Sequence, residues 1–167
     1  MSNDKHSELV AQVGQAVAEF QNAVDLVDEA ASARLGINRT DLRCLGLLFA
    51  RGPLSAGQLA QANGLSPGAT TTALDRLERA GYARRLRDPA DRRGVLVELT
   101  PEARRLIDEI YDPIGQEGIA RLARYSAAEL VLLRDFLSEG HAMQVAQAAR
   151  IRGDPAPPTA SAPERNM

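Results

Sequence analysis

The chain has one cysteine, Cys44, one lysine, Lys5, and no tryptophan. A single cysteine excludes an internal disulfide and any metal site built on several thiolates. Aromatic residues make up only 4% of the sequence, which argues against a stacking platform for single-stranded nucleic acid. No run approaches the ~18 apolar residues of a membrane span. No basic region followed by an apolar stretch opens the chain, so no secretory signal is expected and a cytoplasmic location is. His6 and His141 stand alone, with no partner at metal-ligand spacing, so no metal site is expected. Nucleophile–base pairs and phosphate loops are also missing. The segments "GQEGIAR" and "GPLSAG" lack the lysine or the glycine spacing such a loop needs. The expectation is a protein that is not an enzyme and takes no cofactor.

What is present suits one compact domain, or one domain with appended helices, in 167 residues. The formal net charge is −2, so nucleic-acid binding cannot be read from the total. It can be looked for in the distribution. Between Arg76 and Arg93 lie seven arginines (76, 79, 84, 85, 87, 92 and 93) and three acids (Glu78, Asp88 and Asp91), a local excess of four positive charges.

Along the chain, Leu9, Val10, Val13, Val17, Phe20, Val24 and Val27 recur in steps of three and four, which predicts a long amphipathic helix over 8–34 ended by Gly36. Thr40 is a candidate cap for a second helix, with Leu42, Leu45, Leu48 and Phe49 as its apolar face, broken by Gly52-Pro53. Ser55 and Gln58 have capping-box spacing before a short third helix that Gly64 closes. Ser66 caps a fourth helix with Pro67 at its first position, running to about Ala80 and closed by Gly81. Two helices joined by a tight Asn-Gly-Leu turn are the sequence form of a helix-turn-helix.

After Gly81 the period falls from about 3.6 to 2. Tyr82 to Arg87 and Val95 to Leu99 read as two strands of a hairpin around a charged loop at 88–94. Thr100-Pro101 opens another long helix, and Ser126 with Glu129 caps the last, which runs to about Arg150. Residues 153–167 are rich in Pro and Ala without periodicity, and disorder is expected there. The fold class is therefore mainly α with a small β-hairpin wing. The domains expected are an N-terminal dimerisation helix over 1–37, a winged helix-turn-helix over 38–100, C-terminal dimerisation helices over 101–152 and the tail. The outer helices carry more apolar face than so small a centre can cover, so they need each other or a second copy of the chain.

On a wheel of about 100° per residue, the helix over 66–80 turns Ala69, Ala73, Leu77 and Ala80 to one side, with Leu74 at the edge. Gly68, Thr71 and Thr72 face away near its N-terminus, and Arg76, at the border, is a further candidate DNA contact. A small polar face suits entry into a major groove, where hydroxyls reach base edges or phosphates and threonine methyls touch thymine methyls. The plain alternative is a packing helix with a solvated face, in which Arg76 pairs with a nearby acid. The hairpin tip favours DNA. An aspartate beside arginines weakens attraction for phosphate, but Asp91 can hold a guanidinium in one orientation, and an oriented arginine can enter a narrow minor groove.

The stretches "NRTDLRCLGLLFARGPLSAGQLA" and "GLSPGATTTALDRLERAGYARRLRDPADRRGVLVELTPEA" resemble the MarR family of winged-helix transcription regulators over roughly residues 38–103. "LDRLERAGY" and "RDPADRRGVLVELT" are the specific parts. The resemblance implies a homodimer clasped by its terminal helices, reading a near-palindromic double-stranded operator, and a repressor released by a small aromatic effector. By position, Ser66, Gly68, Thr70, Thr71 and Thr72 occupy the DNA-reading segment, although the wheel puts Thr70 nearer the core. Thr72 stands where many members carry a basic residue. Arg93 resembles the wing arginine, Asp91 its supporting acid and Arg92 a phosphate contact. Redox-sensing members carry a reactive cysteine near the first helix, whereas Cys44, on the second, reads as a buried and inert thiol. The alternative from another class is a winged-helix protein-interaction module. The lack of a hydrophobic hot spot on the outward helix face argues against it.

Overall fold

The computed structural model describes residues 2–91 and 94–153. Its order is α1 (Ser2–Leu35), α2 (Arg39–Arg51), β1 (Leu54–Ser55), α3 (Ala56–Asn63), α4 (Pro67–Arg79), β2 (Ala83–Arg87), β3 (Val95–Leu99), α5 (Pro101–Leu122) and α6 (Ala127–Arg152). The chain divides into two compact units, Met1–Pro113 and Ile114–Met167, the boundary falling inside α5.

Local chemistry sets the element ends. Gly36 leaves α1 in the left-handed region at φ +66°, where a side chain would be strained. The cap of α2 corrects the sequence reading. Asn38, not Thr40, precedes the helix, and its side chain accepts the Asp41 N–H at 2.9 Å. Thr40 lies inside the first turn, two residues past the cap position. Ser55 and Gln58 form the full capping box of α3, and Ser126 and Glu129 that of α6. Ser66 caps α4 by accepting the Ala69 N–H at 3.2 Å, with Pro67 supplying a first residue whose lost N–H would have had no helical partner. Thr100 accepts the Ala103 N–H and its own hydroxyl donates to the Gly81 carbonyl, tying the start of α5 to the end of α4.

The wing is part of a three-stranded antiparallel sheet, ordered β1-β3-β2, rather than a bare hairpin. Leu54 pairs with Val97, and Ala83 to Arg87 pair with Leu99 to Val95. A two-residue strand has no period to betray it, so β1 leaves no trace in the sequence.

The core of the first unit gathers Leu42, Leu45 and Leu48 of α2, Leu59 of α3, and Ala73, Leu74 and Leu77 of α4. The sheet adds Ala83, Val97 and Leu99, and Ala31 and Leu35 of α1, Cys44 of α2 and Ala103 and Ile107 of α5 join them. Each fully buried leucine contributes about 1.5–3 kcal/mol. On α4 the wheel needs adjusting. Leu74 is central to the core, whereas Ala69 and Ala80 are exposed, because the helix leans on its middle turns. Gly153 closes α6 at φ +76°, and the expected disordered tail beyond it lies outside the described residues.

Candidate nucleic-acid interface

Ser66 and Gly68 are exposed at the first turn of α4, as are Thr71 and Thr72 just after it. Each threonine hydroxyl donates to the carbonyl four residues back, Thr71 to Pro67 and Thr72 to Gly68, both at 3.0 Å. That bond spends the proton and fixes χ1. What remains outward is a methyl group and the oxygen lone pairs. Such a face accepts from the amino groups of cytosine or adenine and packs on a thymine methyl, but it does not donate.

Thr70 does not share this surface. It is fully buried, and its hydroxyl donates to the Ser66 carbonyl at 3.0 Å. Its position one-third of a turn from Thr71 takes it into the core, which corrects its inclusion among DNA-reading residues.

Arg76 is also corrected. Its Nε lies 2.9 Å from Asp41 Oδ2 and its Nη2 2.5 Å from Asp41 Oδ1, a two-pronged grip on a carboxylate that is 2% exposed. The partner is neither of the near acids on its own helix but one 35 residues earlier in the chain. The guanidinium is thus committed to fastening α4 onto α2.

Two more arginines of the cluster are paired in the same way. Arg84 pairs with Glu98 across the strands at 2.6 Å. Arg85 reaches from β2 to Asp75 of α4 at 2.8 Å and also pairs with Glu78, whose carboxylate accepts the Arg85 backbone N–H as well. The wing is clamped to the recognition helix by one side chain. Arg79 and Arg87 make no ion pair among the described residues, and Arg87 is exposed at the foot of the wing tip. Sequence reading placed Arg87 only within a charge cluster. The absence of an acid opposite it, where Val95 sits in register, was the available signal.

The tip is built tightly. Asp88 N–H donates to the Gly94 carbonyl at 3.0 Å, Gly94 N–H to the Asp91 carbonyl at 2.9 Å, and Ala90 N–H to Asp88 Oδ1 at 2.8 Å. A Cβ on Gly94 would lie 2.9 Å from the Asp88 Cβ, so only glycine fits. Asp91 is exposed at this tip, while Arg92 and Arg93 lie outside the described residues.

A cavity of about 320 Å³ lies in the first unit among α1, α2 and α5. Leu42, Leu45, Gly46, Phe49 and Ile107 wall it, with Asp28, Arg43 and Tyr111 as its polar lining. Tyr111 donates its hydroxyl to Asp28 at 3.2 Å, and burial, with the Asp28 charge, pushes its pKa up to about 12. Cys44 is fully buried and accepts a bond from the Asn63 amide at 3.4 Å. Burial, reinforced by Asp41, pushes its thiol up, away from the reactive thiolate. Among the described residues no helix is long and apolar enough to cross a membrane.

A helix-turn-helix with its second helix exposed at a capped, small-residue N-terminus, followed by a clamped wing, defines a winged-helix DNA-binding regulator. Residues 37–95 match the MarR family. The uncharacterized HTH-type transcriptional regulator YcgE of Bacillus subtilis (strain 168) is 32% identical over 138 residues, covering 83% of this chain and 90% of that protein. The multiple antibiotic resistance protein MarR of Salmonella typhimurium is 31% identical over 62% of this chain and 72% of its own length. Among solved structures, NadR in complex with 4-hydroxyphenylacetate is similar at 27% identity and a TM-score of 0.58, over 74% of this chain and 88% of that one. The apo form of MarR from E. coli is similar at 25% identity and a TM-score of 0.54, over 75% and 94%. The chain belongs to the MarR family of transcriptional regulators. Its activity is therefore DNA-binding regulation of transcription rather than enzymatic turnover.

Proposed function

We propose that this protein is a homodimeric repressor that reads a near-palindromic double-stranded operator and is released from it by a small aromatic acid. The observation that carries the reading is the apolar surface left open on the terminal helices. In α1, Leu9, Val10, Val13, Phe20 and Val24 are exposed, and in α6 so are Val131, Leu132, Phe136 and Leu137. Large apolar side chains left exposed along a helix face mark an interaction face on each of these helices. A second copy of the chain is the occupant, with residues 1–37 and 101–152 as the dimerisation regions around a DNA-binding domain at 38–100. Two recognition helices then meet successive major grooves about one helical turn, ~34 Å, apart.

On each half-site, Ser66, Gly68, Thr71 and Thr72 face base edges and phosphates, Arg92 contacts phosphate, and Arg93, steadied by Asp91, enters the minor groove. The effector reading rests on the cavity. Its walls are apolar, Arg43 supplies a positive charge for a carboxylate, and the Asp28–Tyr111 pair can exchange hydrogen bonds with a phenol. The NadR neighbour is in complex with a ligand of that class, 4-hydroxyphenylacetate.

The test begins with fragments of the source genome selected by the purified protein. Affinity for a selected fragment should fall steeply with salt as counterions leave the phosphates. It should fall again when 4-hydroxyphenylacetate is added at fixed salt. A protein that selects no fragment would refute operator reading and favour the protein-interaction alternative.

A further inference from the structure

Asn63 is the last residue of α3 and stands three positions before Ser66, the cap of the recognition helix. Two neighbouring residues of α2 hold it. Its side-chain amide donates to Cys44 Sγ at 3.4 Å, and its backbone carbonyl accepts from Arg43 Nη2 at 3.0 Å. The last carbonyls of a helix have no intrahelical partner, and a cation there also meets the negative end of the helix dipole. Arg43 therefore closes the C-terminus of α3 at the turn that aims α4. The same residue lines the cavity that Asp28 and Tyr111 also border.

A guanidinium occupies one place at a time. A carboxylate in the cavity offers it two charged oxygens in fork geometry, a stronger hold than one neutral carbonyl. The Asn63 contact is made by an exposed arginine, and a ligand that binds its guanidinium better than the Asn63 carbonyl does shifts it to the ligand.

We propose that Arg43 is the positioning residue that couples the effector cavity to the recognition helix, capping α3 at Asn63 when the cavity is empty and turning to the ligand carboxylate when it is filled. The proposal rests on the effector reading of the cavity given above. Filling the cavity with an acid frees the Asn63 carbonyl and loosens the α3–α4 turn. The first turn of α4 is then no longer held ready for the groove. By linkage, bound DNA weakens the acid by the same factor as the acid weakens DNA.

The experiment uses the full chain with two probes: 4-hydroxyphenylacetate, and 4-methylphenol, which keeps the ring and hydroxyl but has no carboxylate. Calorimetry reads binding. Amide hydrogen exchange reads the turn at Leu65, whose N–H donates to the Ala60 carbonyl, and at Ala69, whose N–H donates to Ser66. In the wild type the acid should speed exchange at both amides by about tenfold, the worth of one charge-assisted bond, and 4-methylphenol should not. Arg43→Met should exchange fast without ligand and not respond to the acid, and Arg43→Lys should restore part of the protection. No heat from the acid on the wild type overturns the cavity reading, and the coupling with it. Heat with unchanged exchange at Leu65 and Ala69, or equal acceleration by both probes, overturns the coupling while the cavity stands. Should Arg43→Met fail to fold, the wild-type comparison of the two probes decides alone.

Discussion

Arg76 and Asp41 face each other across α4 and α2, with both carboxylate oxygens taken by two nitrogens of one guanidinium. The carboxylate is buried and the guanidinium is partly open to solvent. Removing the two partners therefore has unequal consequences. Arg76→Ala strands a buried charge and should destabilise the fold by about 3 kcal/mol. Asp41→Asn leaves a neutral amide beside a cation that can reach water and should cost less. Urea denaturation of both single variants and the double variant checks this, with the double less destabilised than the sum. Weakened DNA binding by Arg76→Ala at unchanged stability would return Arg76 to the DNA surface.

The threonines of α4 separate by burial. Thr71→Val and Thr72→Val keep the outward methyl and lose the acceptor oxygen, so each should lower operator affinity by about 1 kcal/mol, roughly fivefold. Thr70→Val should leave affinity unchanged, because Thr70 is wholly inside and the Ser66 carbonyl keeps its backbone donor from Thr70. Fluorescence anisotropy on one selected operator fragment distinguishes the three.

The sequence made most of this architecture readable, and the reasons are physical. Caps at Ser55, Ser66 and Ser126 act within three residues, so spacing alone exposes them. The change of period at Gly81 marks the wing because strand and helix place side chains differently. Contacts formed between distant segments were not readable. Nothing local joins Asp41 to Arg76 or Arg85 to Asp75 and Glu78, and those pairs decide which arginines remain to meet phosphate. Thr70 and Thr71 have the same side chain, and only packing tells which one is inside.

The wing tip tolerates no side chain at residue 94. Gly94→Ala would press its Cβ on the Asp88 Cβ and on the Asp91 carbonyl. The loop must open, and stability should fall by about 1–3 kcal/mol. Arg93→Ala should weaken operator binding without unfolding the protein. Operator affinity should fall in both variants, while thermal unfolding should change only for Gly94→Ala.

Alkaline pH should weaken the fold through two groups. Cys44 has a folded pKa raised from its ordinary 9.0, and Tyr111 one raised from 10.0 to about 12. A raised pKa holds the neutral form in the native state. That stability is complete below the unfolded pKa and is lost as pH climbs through the window above it, here from 9 upward for Cys44 and from 10 to about 12 for Tyr111. Melting temperatures measured from pH 8 to 11 should decline, and Tyr111→Phe should flatten the upper part of the decline. Between pH 6 and 8 neither group titrates, and no change from them is expected.

The central claim is that two copies clasp through their terminal helices and present a matched pair of DNA-reading surfaces. Sedimentation equilibrium of the full chain, alone and with a selected operator fragment, tests it most directly. The expected mass is twice the 18.0 kDa of one chain, unchanged on dilution into the micromolar range, with two chains on each fragment. A species of 18.0 kDa that stays single in solution and on DNA would contradict it.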